Sequence, residues 1–547
     1  MGEIKFNPYI SHKLSNDIHF MKKSILIPIL FLTTIHFLWS QKEATSFKGV
    51  VATAHPLATR VGIEILEKGG NAFDAATAAS FVLSVAEPSM SGLGGRLQAL
   101  YYTNKQGVHG IDATTQVPKN YVPDELKAED GYKTIGIPGM VKGILKLHND
   151  KGLLPLSMVL KPAIKIAKKG YLILPDEAIR QSMVKNSLLP FTGSKKHYLT
   201  KDSTHKENTL FKQDQLAKTI KLISKDKGLA FYQGKIANDI SQEILQGGGF
   251  LQTSDLQQYQ AKDAKILKGS YRGYEIVAMG LPCYGAIVIE MLHLLEKTDL
   301  SQASETTWVL ANAAAHHKAY EDRPLLLNEE DKIASKAFAD KRWEAPLPAS
   351  MLYDDKNHKD GHTTHFVISD NDGNIVSITQ SLGPLLGSKV ASEKHGFLFA
   401  TTMGPYLGKM APLERASSHI SPVIVFKDGH PVLALGAAGG ARIIPAIVQV
   451  ISRFIDQNLS IEKAVEAARI YQLPDKLLIE NHLGNIWNQS ETLENLRNLK
   501  IPLEEIKSPG QMGRVHALHF DLKTGLWRAA ADPDWSGTAA GLPSNIK

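Results

Sequence analysis

The stretch from Gly361 to Asn374, Gly-His-Thr-Thr-His-Phe-Val-Ile-Ser-Asp-Asn-Asp-Gly-Asn, constrains local structure more tightly than any other part of this 547-residue chain. Phe366 and Ile368 alternate with Val367 and Ser369, which is the period of a strand. Asp372-Gly373-Asn374 supplies residues that tolerate positive φ, so the strand turns directly into a second one over 375–380. Upstream, residues 354–362 are polar, glycine-containing and turn-like, which predicts an exposed or strained segment. A threonine at a strand start is ordinary. If the peptide bond before it is cut, however, Thr363 carries a free α-amine beside its own hydroxyl, a base and a nucleophile on one residue.

The surrounding pattern mixes helices and strands. Apolar spacing predicts helices over Pro56 to Lys68, ended by Gly69-Gly70, over Ala75 to Ala86, from Ile137 to Leu147, over Pro162 to Lys169, over Leu216 to Ile223 and over Ala286 to Leu295. Residues 271–278 read as one strand. After Thr363 short strands are expected at 363–369, 375–380, 422–426, 432–436 and 515–521, with helices at 443–457 and 461–469. No repeat or low-complexity segment interrupts this, and the pattern fits a layered α/β protein.

Hydrophobic content of 43% and charged content of 21% leave ample material for a core. The net charge of +7 is dispersed, with no basic block interleaved with aromatics, which argues against a nucleic-acid partner. Met21-Lys22-Lys23 followed by the apolar run to Trp39 reads as a secretory signal peptide, cleaved near Ser40-Gln41, with a retained membrane anchor as the alternative. Residues 1–40 are thus a leader with its better start at Met21, and a periplasmic or secreted product without stable membrane insertion is expected. The single cysteine, Cys283, permits no internal disulfide and reads as a buried structural thiol.

Thr363 to Thr379 resembles the start of the small subunit of γ-glutamyltransferases, N-terminal-nucleophile enzymes made as one precursor. Gly49 to Ala58 and Glu67 to Ala76 are similar to that family's opening signature. Ser417-Ser418-His419-Ile420-Ser421-Pro422 and Gly436 to Ile443 are similar to its late motifs, and Asp532-Pro533 with Ala539-Ala540-Gly541 to its ending. The resemblance implies a four-layer αββα sandwich and self-cleavage between His362 and Thr363. It further implies a large region (41–362) and a small region (363–547) that stay associated as one intertwined domain, and no cofactor. Thr363 is then the nucleophile, Ser381 matches a threonine whose hydroxyl supports it, and Gly439-Gly440 match the oxyanion-hole pair, whose donors contribute about 3 kcal/mol. Ser417 and Ser418 match substrate-contacting residues.

The recognition residues depart from the family's pattern. Thr114, in Ile111-Asp112-Ala113-Thr114, stands where an arginine holds the substrate α-carboxylate. Gly383 replaces an asparagine, and Ala400 to Pro405, with Thr402 among them, replaces the segment that grips a glutamyl head group. Arg96-Leu97 replaces two glycines. Arg96 is either a relocated anion grip or a structural or surface arginine. The resemblance implies hydrolysis or transfer at a γ-glutamyl-type amide of a small molecule or peptide, while these departures argue for a changed acyl preference. An amidase or acylase with a non-glutamyl substrate is one rival, and an unprocessed binding protein is another. His358, His362, His365 and the His316-His317 pair lack the spacing of a metal site, so no metal is expected. Gly92-Leu93-Gly94-Gly95 precedes a strand-like run and opens no helix, so it is not read as a nucleotide loop. Asn488-Gln489-Ser490 matches a glycosylation sequon by pattern alone.

Overall fold

The computed structural model describes residues 41–123, 128–344, 362–482, 487 and 491–543. The predicted leader, residues 354–361 and the sequon at 488–490 lie outside them. In chain order the principal strands are β1 (Glu43–Ser46), β2 (Val50–Thr53), β3 (Arg96–Thr103), β4 (Gly107–Ala113), β5 (Lys262–Asp263), β6 (Ile266–Tyr271) and β7 (Tyr274–Met279). They continue with β8 (His362–Ser369), β9 (Ile375–Gly383), β10 (Val423–Lys427), β11 (His430–Ala438), β12 (Arg514–Asp521), β13 (Leu526–Ala531) and β14 (Thr538–Gly541). Two seven-stranded antiparallel sheets result, ordered β14-β2-β8-β9-β3-β4-β5 and β1-β13-β12-β11-β10-β7-β6. Strands from before and after residue 363 share both sheets.

Three apolar cores separate four layers. Val367 and Ile375 of the first sheet meet Val277, Ile424, Ala434 and Leu518 of the second, and Cys283 joins this cluster as a buried free thiol. The other face of the first sheet, with Phe366, Ile368, Val376 and Ile378, packs on helices α1 (Pro56–Glu67), α2 (Ala72–Ala86) and α3 (Met140–Lys151). The outer face of the second sheet packs on α4 (Gly285–Leu295), α5 (Glu305–Glu321) and α6 (Ile443–Ile455). The layers therefore run helix, sheet, sheet, helix. Because both faces of β8 and β9 are covered, their alternation separates two cores and not a core from solvent.

The β8–β9 hairpin turns where its sequence requires, with Gly373 at φ +77. Asp370 pins it: the carboxylate accepts from the backbone N–H groups of Asp372 and Asn374, from the Asn374 side chain, and from the Ala72 N–H at 2.8 Å. That last bond docks the hairpin on the start of α2, where a negative charge also meets the helix dipole favourably. The helix begins at Ala72, three residues before the predicted start. Asn71 and Asp74 form a capping box, and Asp74 also receives the Leu153 and Leu154 N–H groups. Of the strand predicted over 271–278, residues 274–278 lie in β7, while its first residues form the turn of the β6–β7 hairpin. Arg272 and Gly273 both take positive φ in its turn, a conformation that asparagine or aspartate before glycine would have announced and arginine does not.

Asp370→Ala leaves the Ala72 N–H and the turn amides without their acceptor, so unfolding free energy should drop by about 3 kcal/mol in chemical denaturation. The neighbouring exposed Asp372→Ala should change it by less than about 0.5 kcal/mol.

Candidate active site

Antiparallel pairing sets Thr363 opposite Ser381, and Ser381 opposite Arg96, in one row across β8, β9 and β3. Directly opposed residues project from the same face. The register slips at the head of β8, where His362 pairs with Gly383 while Thr363 pairs with Ser381. This bulge brings the carbonyl that precedes Thr363 over the Ser381 side chain. The Thr363 Oγ1 donates to Ser381 Oγ at 3.3 Å, the Gly383 N–H donates to the same oxygen at 2.9 Å, and the Ser381 hydroxyl donates to the His362 carbonyl oxygen at 2.9 Å. With its lone pairs occupied by two donors, the Ser381 proton is directed at the His362 carbonyl.

The strand beneath is held by buried polar groups. His365 Nδ1 meets Thr379 Oγ1 at 2.8 Å, and burial holds this imidazole well below its usual pKa, hence neutral. A Cβ at Gly436 of β11 would lie 2.4 Å from that ring, so only glycine lets the second sheet approach here. Burial likewise pulls His362 down to about 3. Arg514, stacked 3.9 Å over Trp535, reaches the Thr363 carbonyl oxygen at 3.5 Å, and burial lowers it to about 10. Glu87, 3.6 Å from Arg180 and attracted by Arg514, is pushed up to about 7 by burial.

A cavity of about 290 Å³ opens at this row. Thr363, Ser381, Gly440, Ser417 and Ser418 line it, so five of the residues read from sequence come together. Gly439, at φ +138, leads into Gly440, at φ +59, and both conformations suit glycine. Thr114 and Thr402 do not line the cavity. Thr114 is buried with its hydroxyl on the Ala416 carbonyl at 2.7 Å. Thr402 is buried, with its N–H on the Thr134 carbonyl at 2.7 Å and its side chain against Gly136. Arg415, close by Thr114, does not substitute for the missing grip because its Nε is paired with Asp112 at 2.7 Å.

Tyr284, Tyr406 and His419 also line the cavity, and sequence alone assigns a site role to none of them. His419 lies inside a matched motif, which was the available signal. Tyr406 sits in a single 3₁₀ turn, Pro405–Leu407, too short to show a periodicity that would mark it. Arg96 also lines the cavity and is only 1% exposed, so it is no surface residue. No aspartate or glutamate is among the described residues that line the cavity.

Of the histidines weighed for metal, His358 lies outside the described residues, and His316 Nδ1 accepts from the Gln472 N–H. Glu480, His482 and Asp534 do bring potential ligand atoms within 4.8 Å of one another. His482 on Glu480 at 3.2 Å and Arg469 on Glu480 at 3.8 Å make this an ion-pair cluster, and none of the three lines the cavity.

The gamma-glutamyltranspeptidase family profile matches residues 58–542. The chain belongs to that family. It is 30% identical to the glutathione hydrolase proenzyme of Bacillus subtilis (strain 168), over 91% of this chain and 92% of that one. It is also 30% identical to the acylase ACY 1 proenzyme of Pseudomonas sp. (strain V22), over 91% and 95% respectively. The crystal structure of cephalosporin acylase from Bacillus halodurans superposes with a TM-score of 0.84 at 22% identity, over 92% of this chain and 98% of that one, which shows the shared fold. The protein is accordingly a hydrolase or transferase of the gamma-glutamyltranspeptidase family.

Glu87 generates a pH signature. Its folded pKa is raised from 4.5 to about 7, so between those values the native state keeps a proton that the unfolded chain has lost, and stability falls as pH rises. Glu87→Gln removes this dependence. Its unfolding free energy relative to the parent should increase from pH 4.5 to pH 7, by up to about 3 kcal/mol, and then level off.

Proposed function

We propose that this protein cuts its own chain between His362 and Thr363 and then uses Thr363 as the nucleophile of an amidohydrolase or acyltransferase. The observation that carries this reading is the Thr363–Ser381–His362 hydrogen-bond relay. In the precursor the Thr363 hydroxyl adds to the His362 carbonyl carbon, while the Ser381 hydroxyl steadies the negative charge that develops on its oxygen. Collapse transfers the acyl group from nitrogen to oxygen, and water hydrolyses the resulting ester. The freed Thr363 α-amine, of pKa about 7.7–8.0 in model peptides, then serves as base for the hydroxyl beside it. Attack on a substrate amide releases the amine and leaves an acyl-enzyme, which water or a second amine resolves. Ser381 supports the nucleophile, the Gly439 and Gly440 amides serve as the oxyanion hole, and Ser417 and Ser418 contact the substrate. Regions 41–362 and 363–547 remain associated through the sheets they share.

The substrate is a small-molecule amide or peptide, of γ-glutamyl type or a related acyl amide. One observation favours the acyl amide. A γ-glutamyl head group carries an α-ammonium, and the described residues of the cavity lining offer it no carboxylate. The predicted leader makes the working location periplasmic or secreted. No helix among the described residues is long and apolar enough to cross a membrane.

Denaturing electrophoresis with N-terminal sequencing tests the cut: the parent should yield a fragment that begins at Thr363, and Thr363→Ala should remain one chain. Ser381→Ala should slow self-cleavage by about a hundredfold, as loss of one oxyanion donor does elsewhere. Wild-type cleavage rates in either variant would remove Thr363 or Ser381 from these roles. In an anilide assay, a γ-glutamyl compound should be turned over at least about tenfold less efficiently than the same acyl chain without its α-amino group, because the ammonium is desolvated unpaired.

A further inference from the structure

Arg96 is a buried cation with part of its bonding capacity unused. Its Nη2 donates to the Tyr406 hydroxyl and lies 3.4 Å from the Thr401 carbonyl oxygen, but Nε and Nη1 are buried without a hydrogen-bond partner. Three other buried arginines are neutralised by carboxylates. Arg180 lies 2.9 Å from Glu177, Arg453 2.5 Å from Glu305 and Arg469 2.8 Å from Asp532. Arg96 has no carboxylate partner among the described residues. A guanidinium taken out of water without a counter-charge is costly, and a ligand that brings a carboxylate relieves that cost.

Position decides where such a ligand sits. Arg96 shares the row of Ser381 and Thr363 and lines the same cavity, and two strand spacings put its backbone about 10 Å from that of Thr363. Gly383 makes the arrangement possible. A Cβ there would approach the Tyr406 hydroxyl to 2.6 Å and Arg96 Nη2 to 3.1 Å, at a φ of +90 that side chains rarely adopt. Two of the departures noted in the sequence, an arginine gained at 96 and a side chain lost at 383, therefore touch. Tyr406 holds the guanidinium from one side and donates its own proton to the Thr401 carbonyl at 2.7 Å, and burial raises its pKa, which keeps it protonated.

We infer that Arg96, oriented by Tyr406, anchors the far end of the acyl group, and that this end is a carboxylate. The substrate class is a short dicarboxylic acid joined through one carboxyl group as an amide, without an α-ammonium. This rests on the acyl-transfer reading of Thr363. Thr363 Oγ forms an ester with the amide carbonyl carbon, the C–N bond breaks and the amine leaves with the hydroxyl proton. Water then releases the free diacid while Arg96 holds the distal carboxylate throughout.

The processed protein is assayed with the 4-nitroanilides of succinic, glutaric and adipic acids and with the neutral pentanoyl anilide. At least one diacid compound should exceed the neutral one about tenfold or more in kcat/KM, with the difference carried by KM. Arg96→Gln should bring that ratio close to one, Arg96→Lys should restore part of it, and Gly383→Asn should lower it by crowding the guanidinium. A ratio unchanged in Arg96→Gln overturns the inference, as does a parent enzyme that prefers the neutral acyl group. Calorimetric titration with glutarate needs no turnover, and Arg96→Gln should bind it at least about tenfold more weakly than the parent. Equal binding, or none by the parent, also overturns it. If the chain neither cuts itself nor turns over any anilide, the acyl-transfer reading fails, and the glutarate titration still decides the role of Arg96.

Discussion

The register between β8 and β9 is the constraint on which the site depends. A slip at the head of β8 puts His362 opposite Gly383 and Thr363 opposite Ser381, so the carbonyl before the threonine lies within reach of the serine hydroxyl. Without that slip a regular ladder would carry the carbonyl elsewhere, and Thr363 would be one more buried strand residue. The same pairing, continued to β3, sets Arg96 in the row and gives the cavity its charge. Thr363, Ser381 and Arg96 are thus spaced by the strand repeat of a rigid sheet and not by a loop.

Holding that register requires that β8 and β9 cannot slide. Both faces are buried, with Phe366 and Ile368 in one core and Val367 in another, so a one-residue slip would exchange the two packed sets. Asp370 fixes the far end of the hairpin to α2, and Gly436 allows β11 to close over His365. The price is a set of buried polar groups, among them Glu87, Arg514 and His365, whose protonation is shifted by the same burial that orders the strand.

Much of this was legible in the chain. The hairpin, most helices and the gathering of Thr363, Ser381, Gly440, Ser417 and Ser418 follow from periodicity and motif, because strand period and turn chemistry are local properties. The failures are local signals that tertiary contacts outweighed. Arg272-Gly273 turns a chain that reads as one strand, and the start of α2 depends on a cap shared with Leu153 and Leu154, far along the sequence. Thr114 and Thr402 matched positions of recognition in the family but are turned into the protein, where backbone carbonyl and glycine contacts occupy them.

By itself the sequence determined the nucleophile candidate, the family and the loss of the usual glutamyl grip, since each is a matter of residue identity at matched positions. Tertiary structure alone decided the surroundings of Arg96. Whether an arginine is a surface charge, a structural ion pair or an open anion site depends on which carboxylates and which empty space surround it. For Arg96 those surroundings come from Tyr406 and Gly383, which lie about three hundred residues away in the chain and meet it only across the folded sheet.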